Sequence, residues 1–191
     1  MGDFRTEPTL GARIQAARRQ RGMRTARDLA DAISGGNVTE AIIENIEAGR
    51  KANLDVSQLL NIAMALEVPP SYLLAAMGRP DEPVDLPNLS DAFRTMTALE
   101  FDSWIANLPG SGHQRPTMAG RNASDELQAL REWASTRQEI ARLEVVKELE
   151  RADASGPVDR TEIRLTAART EMTELEAYLR SAGWGFVAES H

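Results

Sequence analysis

The chain has 191 residues, of which 42% are hydrophobic and 27% are charged, and it contains no cysteine. This length can hold one large domain or two small ones with their own cores. The lack of cysteine excludes disulfides, thiol catalysis and cysteine-ligated zinc. No run of about eighteen apolar residues could span a bilayer, and the N-terminal residues lack the apolar core of a signal peptide. We therefore expect a soluble, cytoplasmic protein with no membrane partner.

The net charge of −7 is unevenly distributed along the chain. Residues 1–78 carry nine basic and nine acidic side chains, whereas residues 79–191 carry thirteen basic and twenty acidic ones. The stretch "RIQAARRQRGMRTAR" contains no acid and six arginines, namely Arg13, Arg18, Arg19, Arg21, Arg24 and Arg27. Such a patch attracts polyanions, although a solvated helix face is the alternative interpretation.

Apolar residues recur at helical spacing throughout, and no segment alternates with the period of a strand, so the sequence predicts an all-α fold. Five short helices are predicted up to residue 78, at 9–20, from Thr25, at 39–48, in "DVSQLLNIAMALEV" and in "SYLLAAMG". Thr25 and Asp28 form a capping-box pattern, and Asp55 and Gln58 repeat it before the fourth helix. Glycines follow the first and third helices, as C-terminal caps do.

The second part of the chain begins with a change in composition. Residues 79–88, "RPDEPVDLPN", combine three prolines with three acids, which predicts an extended linker between a domain at 1–78 and a helical region at 89–191. In that region "SDAFRTMTALEFDSWIANL" is predicted as one helix, and residues 109–122 as a break.

Two long helices are predicted after this break, at 124–153 and 160–182. The second places its apolar residues in the seven-residue repeat of a coiled coil, at Leu165, Ala168, Met172, Leu175, Leu179 and Ala182. Because only a short turn joins the two helices, they should form an antiparallel hairpin.

The N-terminal pattern goes beyond a count of helices. The segments "RIQAARRQRGM", "DLADAI", "IENIEAGR" and "LLNIAMALEVPPSYLL" resemble the five helices of Xre-family domains, the helix-turn-helix proteins related to Cro and lambda repressor. The resemblance spans residues 9–77 and implies a domain that binds double-stranded DNA. The turn "SGGNV" is about three residues longer than is usual in the family. Ala26 also replaces a glutamine that commonly touches the DNA backbone, a role that Arg24 or Arg27 could take.

The resemblance also implies which residues meet DNA. The outward positions of the third helix, which meet base edges in relatives, are here Thr39, Glu40, Ala41, Glu44 and Asn45. A carboxylate can accept from the cytosine amino group, asparagine can bind adenine with two hydrogen bonds, and an alanine methyl can touch the thymine methyl. Because carboxylates repel phosphates, the phosphate contacts are assigned to flanking residues, namely Arg24, Arg27, Arg50, Lys51 and Asn53.

A structural role is implied for two further residues. In the family a glutamate near the end of the third helix pairs with an arginine of the first, and the matching positions here are Glu47 and Arg18. The assignments to DNA retain an alternative, because each exposed cation could be a solvated surface charge and Glu44 could pair with Arg27.

The residue types that catalysis requires are scarce. Lys147 lies in a charged helix with no pocket around it, so the serine and lysine self-cleavage of some repressors is not expected. His113 and His191 have no partner at metal-ligand spacing. No phosphate-binding loop or carboxylate pair stands out. We therefore expect no enzyme activity, no catalytic residue, no metal and no cofactor.

These features favour a sequence-specific transcriptional regulator that acts as a repressor, and a phage immunity repressor would have this size and plan. The C-terminal helices would then mediate homodimerisation or bind a protein partner. One alternative is a protein-interaction module that retains the helix-turn-helix fold but has lost DNA binding. Another is the antitoxin of a toxin-antitoxin pair.

Overall fold

The structure is a computed structural model that describes residues 2–51, 53–108, 115–152 and 158–185. In these ranges the chain is all-α, as predicted, and contains no β-strand, only an isolated bridge between Pro83 and Thr97. Its helices are α1 (Leu10–Gln20), α2 (Ala26–Ala32), α3 (Glu40–Glu47), α4 (Val56–Leu66), α5 (Pro70–Leu74), α6 (Ala98–Ile105), α7 (Met118–Ala152) and α8 (Val158–Ser181). The chain divides into two compact units, residues 1–113 and residues 114–191.

Side-chain caps fix where the first helices begin. The Thr25 hydroxyl accepts from the Asp28 amide at 3.1 Å, and the Asp28 carboxylate accepts from the Thr25 amide at 2.8 Å. The second of these hydrogen bonds lowers the pKa of Asp28, because it favours the charged carboxylate. At the starts of α1 and α3 the hydroxyls of Thr9 and Thr39 each accept from one backbone amide, without a reciprocal side-chain bond. The predicted helix starts are thus confirmed where a local cap specifies them.

Helices α1 to α5 surround one apolar core. Its fully buried side chains are Ile14, Leu29, Ile43, Ile62, Leu66 and Leu73. At the crossing of α1 and α3, a Cβ added to Gly11 would lie 2.2 Å from the carbonyl oxygen of Ile46. The two backbones can approach this closely only because residue 11 has no side chain.

Residues 79–88 do not form the extended linker that their prolines predicted. The Val84 amide donates to the carbonyl of Met96, and the Ala98 amide donates to the carbonyl of Glu82. Val84 and Leu86 pack against a second apolar cluster, whose buried members are Ala75, Met96, Ala98 and Phe101. These contacts lie beyond Gly78, within a compact N-terminal unit that covers residues 1–113.

The single helix predicted for residues 90–108 is wrong, because the chain forms two elements there. A 3-10 turn covers Asp91–Phe93, and α6 starts only after Thr97. Thr97 and Glu100 form a capping box that begins the new helix. The break lets Phe93 fold back against Trp104, with ring centroids 5.1 Å apart and planes nearly perpendicular.

The C-terminal unit, taken by itself, is the predicted antiparallel pair of long helices. Helix α7 begins at Met118, within the segment predicted as a break, because the Thr117 hydroxyl accepts from the Gly120 amide at its start. Leu143 and Leu165 are buried in the seam between the helices, and pairs such as Arg169–Glu144 at 2.8 Å bridge its rim. Of the turn predicted between them at residues 154–159, residues 154–157 lie outside the described residues, and the last two residues already belong to α8.

No helix in the described ranges has the length and apolar character needed to cross a bilayer.

Candidate nucleic-acid interface

Helix α3 has a buried inner face and an exposed outer face. Ile43 and Ile46 lie in the core with at most 2% of their surface accessible. The connection from α2 runs over residues 33–39. It is anchored because Val38 is buried and the Asn37 carbonyl accepts from the side-chain Nε2 of Gln58 at 3.2 Å. The long turn therefore has a defined attachment to α4.

The ion pair implied between α1 and α3 is present. Arg18 Nε donates to Glu47 Oε1 at 2.7 Å, and Arg18 Nη2 donates to Oε2 at 2.8 Å. The two side chains are only 4% and 7% exposed. Hydrogen bonding to Glu47 raises the pKa of the Arg18 guanidinium. Two parallel bonds between planar groups hold α3 at a fixed orientation on α1.

Four of the five side chains assigned to base reading are exposed on the outer face of α3, namely Thr39, Glu40, Ala41 and Glu44. Thr39 also caps the helix through its hydroxyl. Glu44 makes no ion pair with Arg27 or with any other described residue, so the pairing considered for it is absent. Asn45 differs from the others, because it is half-buried and its Oδ1 accepts from Arg50 Nε at 2.9 Å.

The basic residues at the start of α2 are free to bind an anion. Arg24 is exposed, and no described acidic side chain pairs with its guanidinium. Arg27 is 71% exposed and lies 3.8 Å from Asp31, a distance at which a surface ion pair contributes little. Ala26, at the family's glutamine position, is buried, so it offers no side chain to a DNA backbone.

The three residues assigned after α3 are already hydrogen-bonded within the protein. Arg50 donates to Asn45, as described above, and remains exposed. Lys51 Nζ donates to Gln58 Oε1 at 2.8 Å. The Asn53 side chain accepts from Asn88 Nδ2 at 3.0 Å.

Arg13 was counted among the six arginines of the predicted basic patch, but in the structure it has a structural role. Its side chain is fully buried in the N-terminal unit, where its guanidinium makes a two-pronged contact with the Asp85 carboxylate at 2.9 Å for both bonds. The sequence contained a signal for this burial, because Leu10, Arg13, Ile14 and Ala17 follow the i, i+3, i+4, i+7 spacing of an inward face. The patch therefore contributes fewer surface charges than its six arginines suggest.

Among the described residues no group of three His, Asp or Glu side chains could hold a metal ion, and His113 and His191 lie outside those residues. No protein-family model, curated protein sequence or solved structure matches the chain. The Xre resemblance of residues 9–77 therefore stays a prediction from the residues themselves.

Proposed function

We propose that the protein is a sequence-specific DNA-binding transcriptional regulator that acts as a repressor, with α3 as the helix that enters the major groove. The observation that carries the proposal is the division of α3. Ile43, Ile46 and the Arg18–Glu47 pair fix its inner side, while Glu40, Ala41 and Glu44 on its outer side are exposed. A helix held rigidly from one side can offer its other side to base edges without further ordering.

The distribution of charge supports the same function. Arg24 and Arg27 precede the acidic outer face of α3, and Arg50 follows it. Cations on the flanks can neutralise phosphates while Glu40 and Glu44 accept hydrogen bonds from cytosine amino groups between them. The C-terminal hairpin would join two copies, which suits the two-fold operators that helix-turn-helix dimers bind.

The decisive experiment selects bound fragments from random DNA and then measures the affinity for the selected site against salt concentration. We expect a steep loss of affinity with salt, because phosphate contacts release counterions. Arg24→Ala should weaken binding, whereas Arg94→Ala, a matched removal of an exposed arginine at 78% accessibility, should not. Selection that returns no common sequence, together with an affinity insensitive to salt, would refute the proposal.

One observation favours a second candidate function. The Glu40 and Glu44 carboxylates are exposed, and no described cation pairs with either. An acidic helix face of this kind also fits a basic protein surface, as in a helix-turn-helix module that has lost DNA binding. A chain that binds no DNA but co-purifies with one small basic protein would support this candidate, or an antitoxin if that protein is toxic.

A further inference from the structure

The side chains of Asn45 and Arg50 form a contact that is not explained by base reading. Arg50 Nε donates to Asn45 Oδ1 at 2.9 Å. The main chain reinforces this contact, because the amides of Arg50 and Lys51 both donate to the Asn45 carbonyl, at 2.9 and 3.0 Å. One residue of α3 thus fixes both the backbone and the guanidinium of the arginine that follows the helix.

The contact determines which donors of Arg50 are left over. A guanidinium has five N–H groups, one on Nε and four on the two terminal nitrogens. The Nε group is used by Asn45, and no acceptor in the described part of the chain bonds the terminal nitrogens. Those nitrogens form a planar fork that matches two acceptor atoms side by side, such as two oxygens of one phosphodiester or O6 and N7 of guanine.

The same contact argues against adenine reading by Asn45. Asparagine binds adenine by accepting with Oδ1 and donating with Nδ2 in the plane of the base. Here Arg50 occupies one of the two lone pairs of Oδ1 and fixes the orientation of the amide, and Asn45 is half-buried, unlike Glu40, Ala41 and Glu44 on the same face.

We infer that Asn45 is a positioning residue, which holds Arg50 so that its terminal fork binds a pair of acceptors on DNA. This inference rests on the proposed DNA-binding function. A long arginine side chain loses rotamer entropy when it binds, and a hydrogen bond that orders it before binding removes part of that cost from the complex.

The test is a double-mutant cycle on the full-length chain with its selected DNA site. Arg50→Ala should weaken binding about tenfold and lower the salt slope by about one. Asn45→Ala should weaken binding about threefold while it leaves the slope nearly unchanged, because the charge of Arg50 remains. In the Arg50→Ala or Arg50→Lys background, Asn45→Ala should have no further effect, because neither alanine nor lysine has a guanidinium to position.

The selected sequences identify the acceptor. A loss of affinity that is equal for every sequence indicates a phosphate, and a loss confined to sites with guanine at one position indicates the base edge. If the wild-type chain binds DNA but Asn45→Ala weakens binding by the same factor in all backgrounds, Asn45 acts independently of Arg50 and the inference is wrong. If the wild-type chain binds no DNA even at low salt, the proposed function fails and the inference fails with it.

Discussion

Replacing Asp85 with alanine should destabilise the N-terminal unit by leaving a buried charge without its partner. The Arg13 side chain has no accessible surface. Its Nε donates to the Leu73 carbonyl, Nη1 to Glu7 O and Asp85, and Nη2 to Leu74 O and Asp85. All five donors therefore have an acceptor, and two of the five bonds depend on the Asp85 carboxylate. Alanine at residue 85 would leave the positive charge and two donors unsatisfied.

The magnitude follows from the burial of the two partners. Removing one member of a buried ion pair costs about 3–5 kcal/mol. Because the Asp85 side chain is 28% exposed, water can reach the vacated position, so we expect about 3 kcal/mol, the lower end of that range. For a domain of about this size, such a loss lowers the melting temperature by about 10 °C.

The assay must report on the N-terminal unit alone, because a chain with two compact units need not unfold in one step. Hydrogen exchange of the α1 amides meets this need, with thermal unfolding as a second measurement. The control is Asp91→Ala, which removes an exposed pair with Arg94 and should cost less than about 0.5 kcal/mol. If the α1 amides of the Asp85→Ala variant are as well protected from exchange as those of the Asp91→Ala variant, the Arg13–Asp85 pair does not stabilise the unit and the prediction is wrong.

Three further predictions concern the packing within each of the two units. Glu47→Gln should destabilise the α1–α3 contact by about 3–5 kcal/mol because Arg18 loses its counter-charge, and melting within about two degrees of the parent would contradict it. Gly11→Ala should cost about 1–3 kcal/mol and weaken DNA binding, because the new methyl group forces α1 away from the carbonyl oxygen of α3; a crystal structure with unchanged helix spacing would count against this. Leu165→Ala should cost the C-terminal hairpin about 2–5 kcal/mol, whereas Ile163→Ala, at an exposed position, should be neutral within about 0.5 kcal/mol in thermal unfolding.

The helix starts of the N-terminal unit could be predicted because local chemistry specifies them. Thr25 and Asp28 satisfy each other's amides wherever the surrounding chain lies, and Asp55 and Gln58 supply the second such pattern. The pairing of Arg18 with Glu47 was predicted for a different reason. It came from the family resemblance, because nothing in the spacing of two residues 29 positions apart places them in contact.

The segment after Gly78 could not be predicted, because tertiary contacts override its composition. Prolines and acids are typical of a solvated linker. Here, however, one of the acids, Asp85, neutralises the buried Arg13. The Val84 amide also donates a hydrogen bond to the Met96 carbonyl, just before α6. Neither contact has a local signal, since 72 positions separate Arg13 from Asp85. The break at Thr97 did have a local signal, namely the capping box of Thr97 with Glu100. The apolar spacing of "SDAFRTMTALEFDSWIANL", however, favoured a single helix.

The buried arginines change what the proposed interface can achieve electrostatically. Arg13 and Arg18 are inside the protein, and Arg21 contacts Glu67 at 3.2 Å. Of the flanking cations, Arg24, Arg27, Arg50 and Lys51 remain for phosphates, and four such contacts give a salt slope of roughly 3 to 4. A single copy with so few contacts, and with an acidic helix between them, would bind DNA weakly. Two copies linked through the C-terminal hairpin would double the contacts and add effective concentration at the second half-site. If the proposed function holds, tight operator binding is therefore expected to depend on the hairpin.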